Sequence, residues 1–273
     1  DDVLIGAHGV DSNGRYAGAS YVVFGKASGF DAAMDLSSLD GNNGFRLDGI
    51  ANDSSGGSVS DAGDVNGDGF DDVFIAAPGR TTGFSYVVFG KASGFDAAID
   101  LSSLDGHNGF RLDGASKNLE AGMLVSNAGD FNGDGFDDLI VGRTSSFNLP
   151  EVKYSDVSYV VYGKASGFSA TLSLSNLDGS NGFRLDGVVG GPFPKTSVSG
   201  AGDVNGDGFD DLIVGDPEKG SSYIIFGHND SGSGIPEIAG TPGDDNLTGT
   251  SAAERFEGGD GNDRMIGHGG ADV

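Results

Sequence analysis

The chain has 273 residues, with 41 acidic against 15 basic side chains, 51 Gly, 7 Pro, no Cys and a formal net charge of −26. So large a negative charge excludes nucleic acid and anionic membrane as partners, because phosphate-rich surfaces would repel it, and it favours cationic partners or bound metal. The absence of Cys excludes a disulfide framework and thiolate zinc sites, and no apolar run approaches membrane-spanning length.

The length allows one large or two ordinary domains. Abundant Gly with little Pro indicates many tight turns rather than long helices. No signal peptide is visible at the N-terminus, which begins with Asp1-Asp2.

In chain order, the first copy of a repeat opens with Asp2–Ala7 (DVLIGA), followed by the apolar run Tyr21–Phe24, a long loop and Gly44–Gly49 (GFRLDG). The second copy repeats these as Asp72–Ala77 (DVFIAA), Tyr86–Phe89 and Gly109–Gly114. The third has Asp138–Arg143 (DLIVGR), Tyr159–Tyr162 and Gly182–Gly187; the fourth has Asp211–Asp216 (DLIVGD) and Tyr223–Phe226 without a GFRLDG segment. The steps between copies are 70, 66 and 73 residues. That is longer than the usual solenoid unit, and each step holds about four short strands.

In the second copy these strands are expected as A over Ser58–Asp64, B over Val73–Ala76, C over Tyr86–Phe89 and D over Phe110–Asp113. Runs B and C are apolar on both faces, as for strands sandwiched between neighbouring sheets. Run D alternates Phe110 in, Arg111 out, Leu112 in, which predicts an outermost strand with one wet side. A tandem four-stranded unit that cannot bury both faces alone predicts an all-β chain of β-propeller blades, about four of them and incomplete. A parallel β-solenoid is the alternative.

Between strands A and B lies Asp64-Val-Asn66-Gly-Asp68-Gly-Phe70-Asp-Asp72, repeated at 130–138 and 203–211. Oxygen side chains at positions 1, 3, 5 and 9, with the backbone carbonyl of position 7, can surround one hard cation. The candidate ligands are Asp64, Asn66, Asp68, Phe70 and Asp72; Asp130, Asn132, Asp134, Phe136 and Asp138; and Asp203, Asn205, Asp207, Phe209 and Asp211. Three carboxylates and an amide in a flexible loop favour Ca²⁺ over Mg²⁺, which demands tighter octahedral geometry. The alternative is an Asx-rich hairpin turn that binds nothing. Asp71, Asp137 and Asp210, at position 8, are expected to face solvent or brace the loop.

These segments resemble the FG-GAP repeats of integrin α-subunit propellers. The Asp-rich loop precedes strand B, Ala76–Pro78 reads AAP, and the FG pairs are Phe24-Gly25, Phe89-Gly90 and Phe226-Gly227. The third copy departs from this with Tyr162-Gly163 and with Gly142-Arg143 in place of AP. The resemblance covers residues 1–229 and implies calcium in the three loops, on the lower propeller face. Asp2 matches the ninth position of a fourth loop whose other positions are absent.

After a Gly/Ser-rich linker at 230–239, residues 240–273 carry Gly240, Gly249, Gly258 and Gly267 at nine-residue spacing. Asp245, Glu254, Asp263 and Asp272 follow at the same interval, and Leu247, Phe256 and Met265 take the eighth position. The copy Gly258–Ile266 resembles the RTX nonapeptide of exported bacterial proteins. The resemblance implies a short parallel β-roll in which Asp245, Asp263 and Asp272 contribute to calcium sites. Its second copy is degenerate at Ser251–Glu254, and a flexible Gly/Asp linker is the alternative.

Together the two resemblances imply an exported bacterial calcium-binding protein, secreted or on the cell surface. The missing A strand at one end and D strand at the other lead us to expect natural sequence before Asp1. The stop inside a fourth nonapeptide leads us to expect more after Val273. No His-Glu-x-x-His, Gly-x-Ser-x-Gly or Cys nucleophile is present, and no catalytic residue is expected. Gly90-Lys91 lacks the spaced first Gly of a phosphate loop; the same lysine recurs as Lys26 and Lys164, a feature of the repeat. His107 and His228 read as surface variation.

Two enlarged loops are candidates for partner binding: 143–158, with Phe147, Lys153 and Tyr154, and 189–196, with Phe193 and Lys195. Aromatics and lysines on variable-length loops suit an extracellular protein or glycan. The expected function is an adhesive or structural surface module that binds such a partner or self-associates. The alternative is a propeller-face or non-catalytic portion of an exported enzyme such as a polysaccharide-degrading hydrolase or lyase.

Overall fold

A computed structural model describes residues 2–79, 83–114, 121–143, 155–189, 197–216 and 220–228, and in the tail 237–239, 244, 246–248, 255–257 and 264–266. The chain is all-β among these residues apart from three one-turn 3-10 segments. The first copy contributes β1 (Val3–Ala7), β2 (Ala19–Val23) and β3 (Gly44–Asp48). The second contributes β4 (Val59–Gly63), β5 (Asp72–Ala77), β6 (Phe84–Val88), β7 (Ala98–Asp100) and β8 (Gly109–Asp113). The third contributes β9 (Ala121–Gly129), β10 (Asp138–Arg143), β11 (Ser155–Val161), β12 (Thr171–Ser173) and β13 (Gly182–Val189). The fourth has β14 (Ser197–Gly202), β15 (Asp211–Asp216) and β16 (Ser221–Ile225).

The strands present in each copy pair antiparallel in chain order, A-B-C-D in the second and third copies, as in β4-β5-β6-β8, B-C-D in the first and A-B-C in the fourth. Alternation along the central strands then divides their side chains between two cores. Phe74 and Ala76 of β5 pack with Leu139, Val141 and Tyr159 of the third copy. Ile75 and Ala77 of the same strand pack with Val22, Phe45 and Leu47 of the first. Ile140 and Val160 of the third copy meet Leu212 of the fourth. A strand buried on both faces by neighbouring sheets explains the unbroken apolar runs. Successive sheets of three to five strands stacked face to face are consistent with a β-propeller.

Strand D is not the outermost strand of the first two copies. The long C–D connection of the next copy lays a short parallel strand against it: β7 on β3, Leu47 opposite Ile99, and β12 on β8, Leu112 opposite Leu172. Arg46 N–H donates to Ala97 O at 3.0 Å, and Arg111 N–H to Ala170 O at 3.0 Å. Phe95 stacks on Phe45 at 4.4 Å between centroids, and Phe168 on Phe110 at 4.8 Å. Each strap is held from its own side by a lysine: Lys91 Nζ lies 4.8 Å above Phe95 and Lys164 Nζ 4.9 Å above Phe168.

In the tail, β17 (Glu237–Ala239) pairs in parallel with β19 (Arg255–Glu257), and β18 (Asn246–Thr248) with β20 (Arg264–Ile266). Partners such as Leu247 and Met265 are two nonapeptides apart.

Candidate metal centre

Each Asp-rich loop springs from a bulge at the end of strand A. Between β4 and β5 the register slips from Asp61 opposite Val73 to Gly63 opposite Asp72. The third and fourth copies slip at Gly129 and Gly202. These glycines have φ of 67°, 67° and 65°, a left-handed conformation that a side chain disfavours. The bulge turns the chain out of the sheet and into the loop.

Inside the loop, the first residue serves as an acceptor for the far side of the turn. Asp64 Oδ1 accepts from Asp68 N–H at 3.0 Å, and Oδ2 from Gly69 N–H at 2.8 Å. Asn66 Oδ1 also accepts from Asp68 N–H, and Asp68 Oδ1 from Phe70 N–H. The same four bonds recur in the third copy at Asp130, Asn132 and Asp134 and in the fourth at Asp203, Asn205 and Asp207. Positions 1, 3 and 5 are thereby fixed on one turn in all three copies. Their remaining lone pairs form a set of hard oxygen donors of the kind calcium accepts.

Position 9 has a different setting. Asp72, Asp138 and Asp211 are 1%, 0% and 0% exposed. Both oxygens of each are engaged by backbone amides. Asp72 accepts from Val65 N–H at 3.1 Å and Gly90 N–H at 2.8 Å. Asp138 accepts from Asn132 and Gly163 N–H, and Asp211 from Val204 and Gly227 N–H. This carboxylate ties the loop to the glycine that follows strand C, which accounts for the conjunction of an Asp-rich loop with an FG pair in one repeat.

Burial pushes the Asp72 carboxyl up to about 7, and the charges of Asp68 and Asp64 add to the rise against the two amides that oppose it. Burial, with Asp134 and Asp130 nearby, pushes Asp138 up to about 8. A cation in the loop would favour the ionised forms. No group of three or more His, Cys, Asp or Glu side chains is drawn together as a ready metal cluster among the described residues. The donor chemistry fits calcium, with the buried ninth residue supporting the loop from beneath.

Position 8 does not merely face solvent. Asp137 Oδ2 accepts from the N–H of Asp64, in the preceding copy, at 2.7 Å. Asp210 Oδ2 accepts from Asp130 N–H at 2.9 Å. Burial raises the Asp137 carboxyl above the ordinary range, with Asp210, Asp64 and Asp130 contributing. The sequence carried no signal for this contact, because the direction of an exposed-loop side chain depends on how the next sheet is rotated.

Asp245, Asp263 and Asp272 in the tail, and Phe147, Lys153, Tyr154, Phe193 and Lys195 in the enlarged loops, lie outside the described residues.

Residues 56–88, 121–161 and 196–232 match the FG-GAP repeat. These segments cover strands A to C of the second, third and fourth copies, with the Asp-rich loop between A and B in each. The chain is 28% identical over 201 residues, 63% of its length, to phosphatidylinositol-glycan-specific phospholipase D of Dictyostelium discoideum. It is 29% identical over 166 residues, 59% of its length, to integrin alpha-PS5 of Drosophila melanogaster. It is 30% identical over 165 residues, 56% of its length, to the phospholipase D of the same name from Bos taurus. These alignments span 20%, 15% and 18% of the respective relatives, so the likeness is to a part of each. Three segments of the chain, 56–88, 121–161 and 196–232, thus carry FG-GAP repeats.

Proposed function

We propose that this chain is a calcium-stabilised, non-catalytic interaction module of an exported bacterial protein. Residues 1–229 form its β-propeller part, 230–239 a linker and 240–273 an RTX-like calcium-binding tail. The observation that carries the reading is the threefold recurrence of one oxygen-donor turn at the same place between strands A and B, each anchored by a buried Asp. Asp64, Asn66 and Asp68 and their counterparts would hold the cation, with the carbonyls of Phe70, Phe136 and Phe209. The ion would neutralise a loop that otherwise concentrates three or four carboxylates.

The parallel pairing of tail strands two nonapeptides apart supports the β-roll reading of that segment. Calcium is scarce in the cytosol and abundant outside the cell. Sites of extracellular type, with dissociation constants of about 10⁻⁴–10⁻³ M, would leave the chain weakly ordered until export. The partner we expect is an extracellular protein or glycan, or another copy at the cell surface, met by the loops carrying Phe147, Lys153, Tyr154, Phe193 and Lys195.

Similarity to phosphatidylinositol-glycan-specific phospholipase D favours a second reading, in which the module accompanies a catalytic domain of an exported enzyme. The two are separated by the complete reading frame: a catalytic domain encoded alongside this chain would support the second. The first is tested by thermal unfolding in calcium and in chelator. Each site held at ten times its dissociation constant adds about 1.4 kcal/mol by mass action. Equal midpoints in the two conditions would remove the calcium reading.

A further inference from the structure

We infer that Asp137 and Asp210 are positioning residues for the cation site of the preceding copy, so that loops 64–72 and 130–138 are each completed by the copy that follows. The inference rests on the calcium reading of the loops and adds a linkage between them that the repeat pattern alone does not contain.

The grip is the same at both seams. Asp137 takes the N–H of Asp64, the first residue of the loop, and Asp137 N–H donates back to Asp64 O at 3.3 Å. Asp210 and Asp130 form the same reciprocal pair. The preceding residue supplies a ring: Phe136 lies against Gly67, and Phe209 against Gly133, at the fourth position of the loop before. A Cβ at either glycine would collide with that ring, and a Cβ at Gly63 or Gly129 would collide with the carboxylate of Asp137 or Asp210. The turn after strand C closes the third side. Lys164 N–H donates to Val65 O at 2.9 Å, and His228 N–H to Phe131 O at 3.0 Å. Loop 64–72 is therefore held at positions 1, 2 and 4 by the third copy, and loop 130–138 by the fourth.

Loop 203–211 provides the contrast. No atom among the described residues approaches a Cβ built on Gly202 or Gly206. Its second residue, Val204, is 55% exposed, whereas Val65 and Phe131 are each 1% exposed. The same donor sequence thus occurs in two gripped settings and in one that no described residue grips. An oxygen cage whose first residue is already fixed loses less conformational freedom on binding an ion, so the gripped loops take calcium more tightly.

The test is a calcium titration of the ¹⁵N-labelled full chain, following the amide signals of Gly69, Gly135 and Gly208, the sixth residues of the three loops. In the wild type the Gly208 midpoint is expected at the highest calcium. Asp137→Ala is expected to raise the Gly69 midpoint about tenfold, the scale of one charge-assisted hydrogen bond, while Gly135 stays in place. Asp137→Asn, which keeps an acceptor, recovers most of the loss. Asp210→Ala moves Gly135 instead and leaves Gly208 unchanged, which keeps the inference testable if the first variant fails to fold. Movement of Gly135 rather than Gly69 in Asp137→Ala, or of neither, would overturn it. A wild type in which no glycine responds to calcium would overturn the calcium reading itself and this inference with it.

Discussion

Phe95 and Phe45 stack at 4.4 Å with their planes 6° apart, although they belong to different copies of the repeat. The contact joins the C–D connection of one copy to strand D of the copy before it. Phe168 repeats it on Phe110, whereas Phe30, at the corresponding place in the first copy, is 50% exposed and stacks on no ring among the described residues. Phe95→Ala is expected to destabilise the chain by about 2 kcal/mol, less than a fully buried Phe because the ring is only partly buried. Phe30→Ala should stay within about 0.5 kcal/mol of the wild type. Urea midpoints of the two variants check this, and equal losses would show that the straps do not hold the sheets together.

Under the calcium reading, the loop residues divide into those that support the turn and those that would face the ion. Asp138→Ala leaves the N–H groups of Asn132 and Gly163 without their acceptor in a fully buried place. It should cost about 3 kcal/mol even in chelator. Asp134→Ala, in an exposed position, should cost under about 1 kcal/mol in chelator and more in calcium, because what it loses is a ligand. Denaturation of both variants with and without calcium gives the comparison.

The raised pKa values of Asp72 and Asp138 set a pH dependence of definite sign. A carboxyl whose folded value lies above its ordinary 3.8 contributes stability that is whole below 3.8 and is lost as pH rises through the folded value. Those values are about 7 and about 8. In chelator, stability should therefore fall from about pH 4 to about pH 8 and level off above it. Calcium prefers the ionised carboxylates, so it should flatten or reverse the fall and should release protons on binding. Thermal midpoints across that range in the two conditions measure the effect.

Asp53 offers a similar test away from the loops. It is 7% exposed and accepts the hydroxyl of Tyr86. Burial raises its pKa against that bond and against nearby Arg111. Its contribution is whole below 3.8 and declines as pH rises through the higher folded value. Asp53→Asn keeps an acceptor for Tyr86 and cannot ionise, so its stability relative to the wild type should rise from about pH 4 to about pH 8. Urea midpoints at those two values decide the sign.

Strands A to D were legible because their signals are strong and repeated. A run such as Val73–Ala77 must be apolar at every position when Phe74 and Ile75 serve different cores. The donor turns were legible for the same reason: their spacing is local, and their bonds run within nine residues. The straps were not, since three residues such as Ala98–Asp100 carry no periodicity and their partner lies in another copy. A signal was nonetheless present in the recurring Lys-x-x-x-Phe of Lys26–Phe30, Lys91–Phe95 and Lys164–Phe168. The role of Asp137 was beyond reach for a different reason. Its acceptor geometry toward Asp64 follows from the packing angle between two sheets, a tertiary quantity that spacing does not encode.

The central claim is that three loops of this chain are calcium sites, and calorimetric titration of the full chain with calcium tests it most directly. Each of the donor turns at 64–72, 130–138 and 203–211 should take one ion, so binding of at least three ions, abolished loop by loop in Asp68→Ala, Asp134→Ala and Asp207→Ala, is the predicted result. A wild type that binds no calcium would contradict the account and leave the three loops as Asx-rich turns.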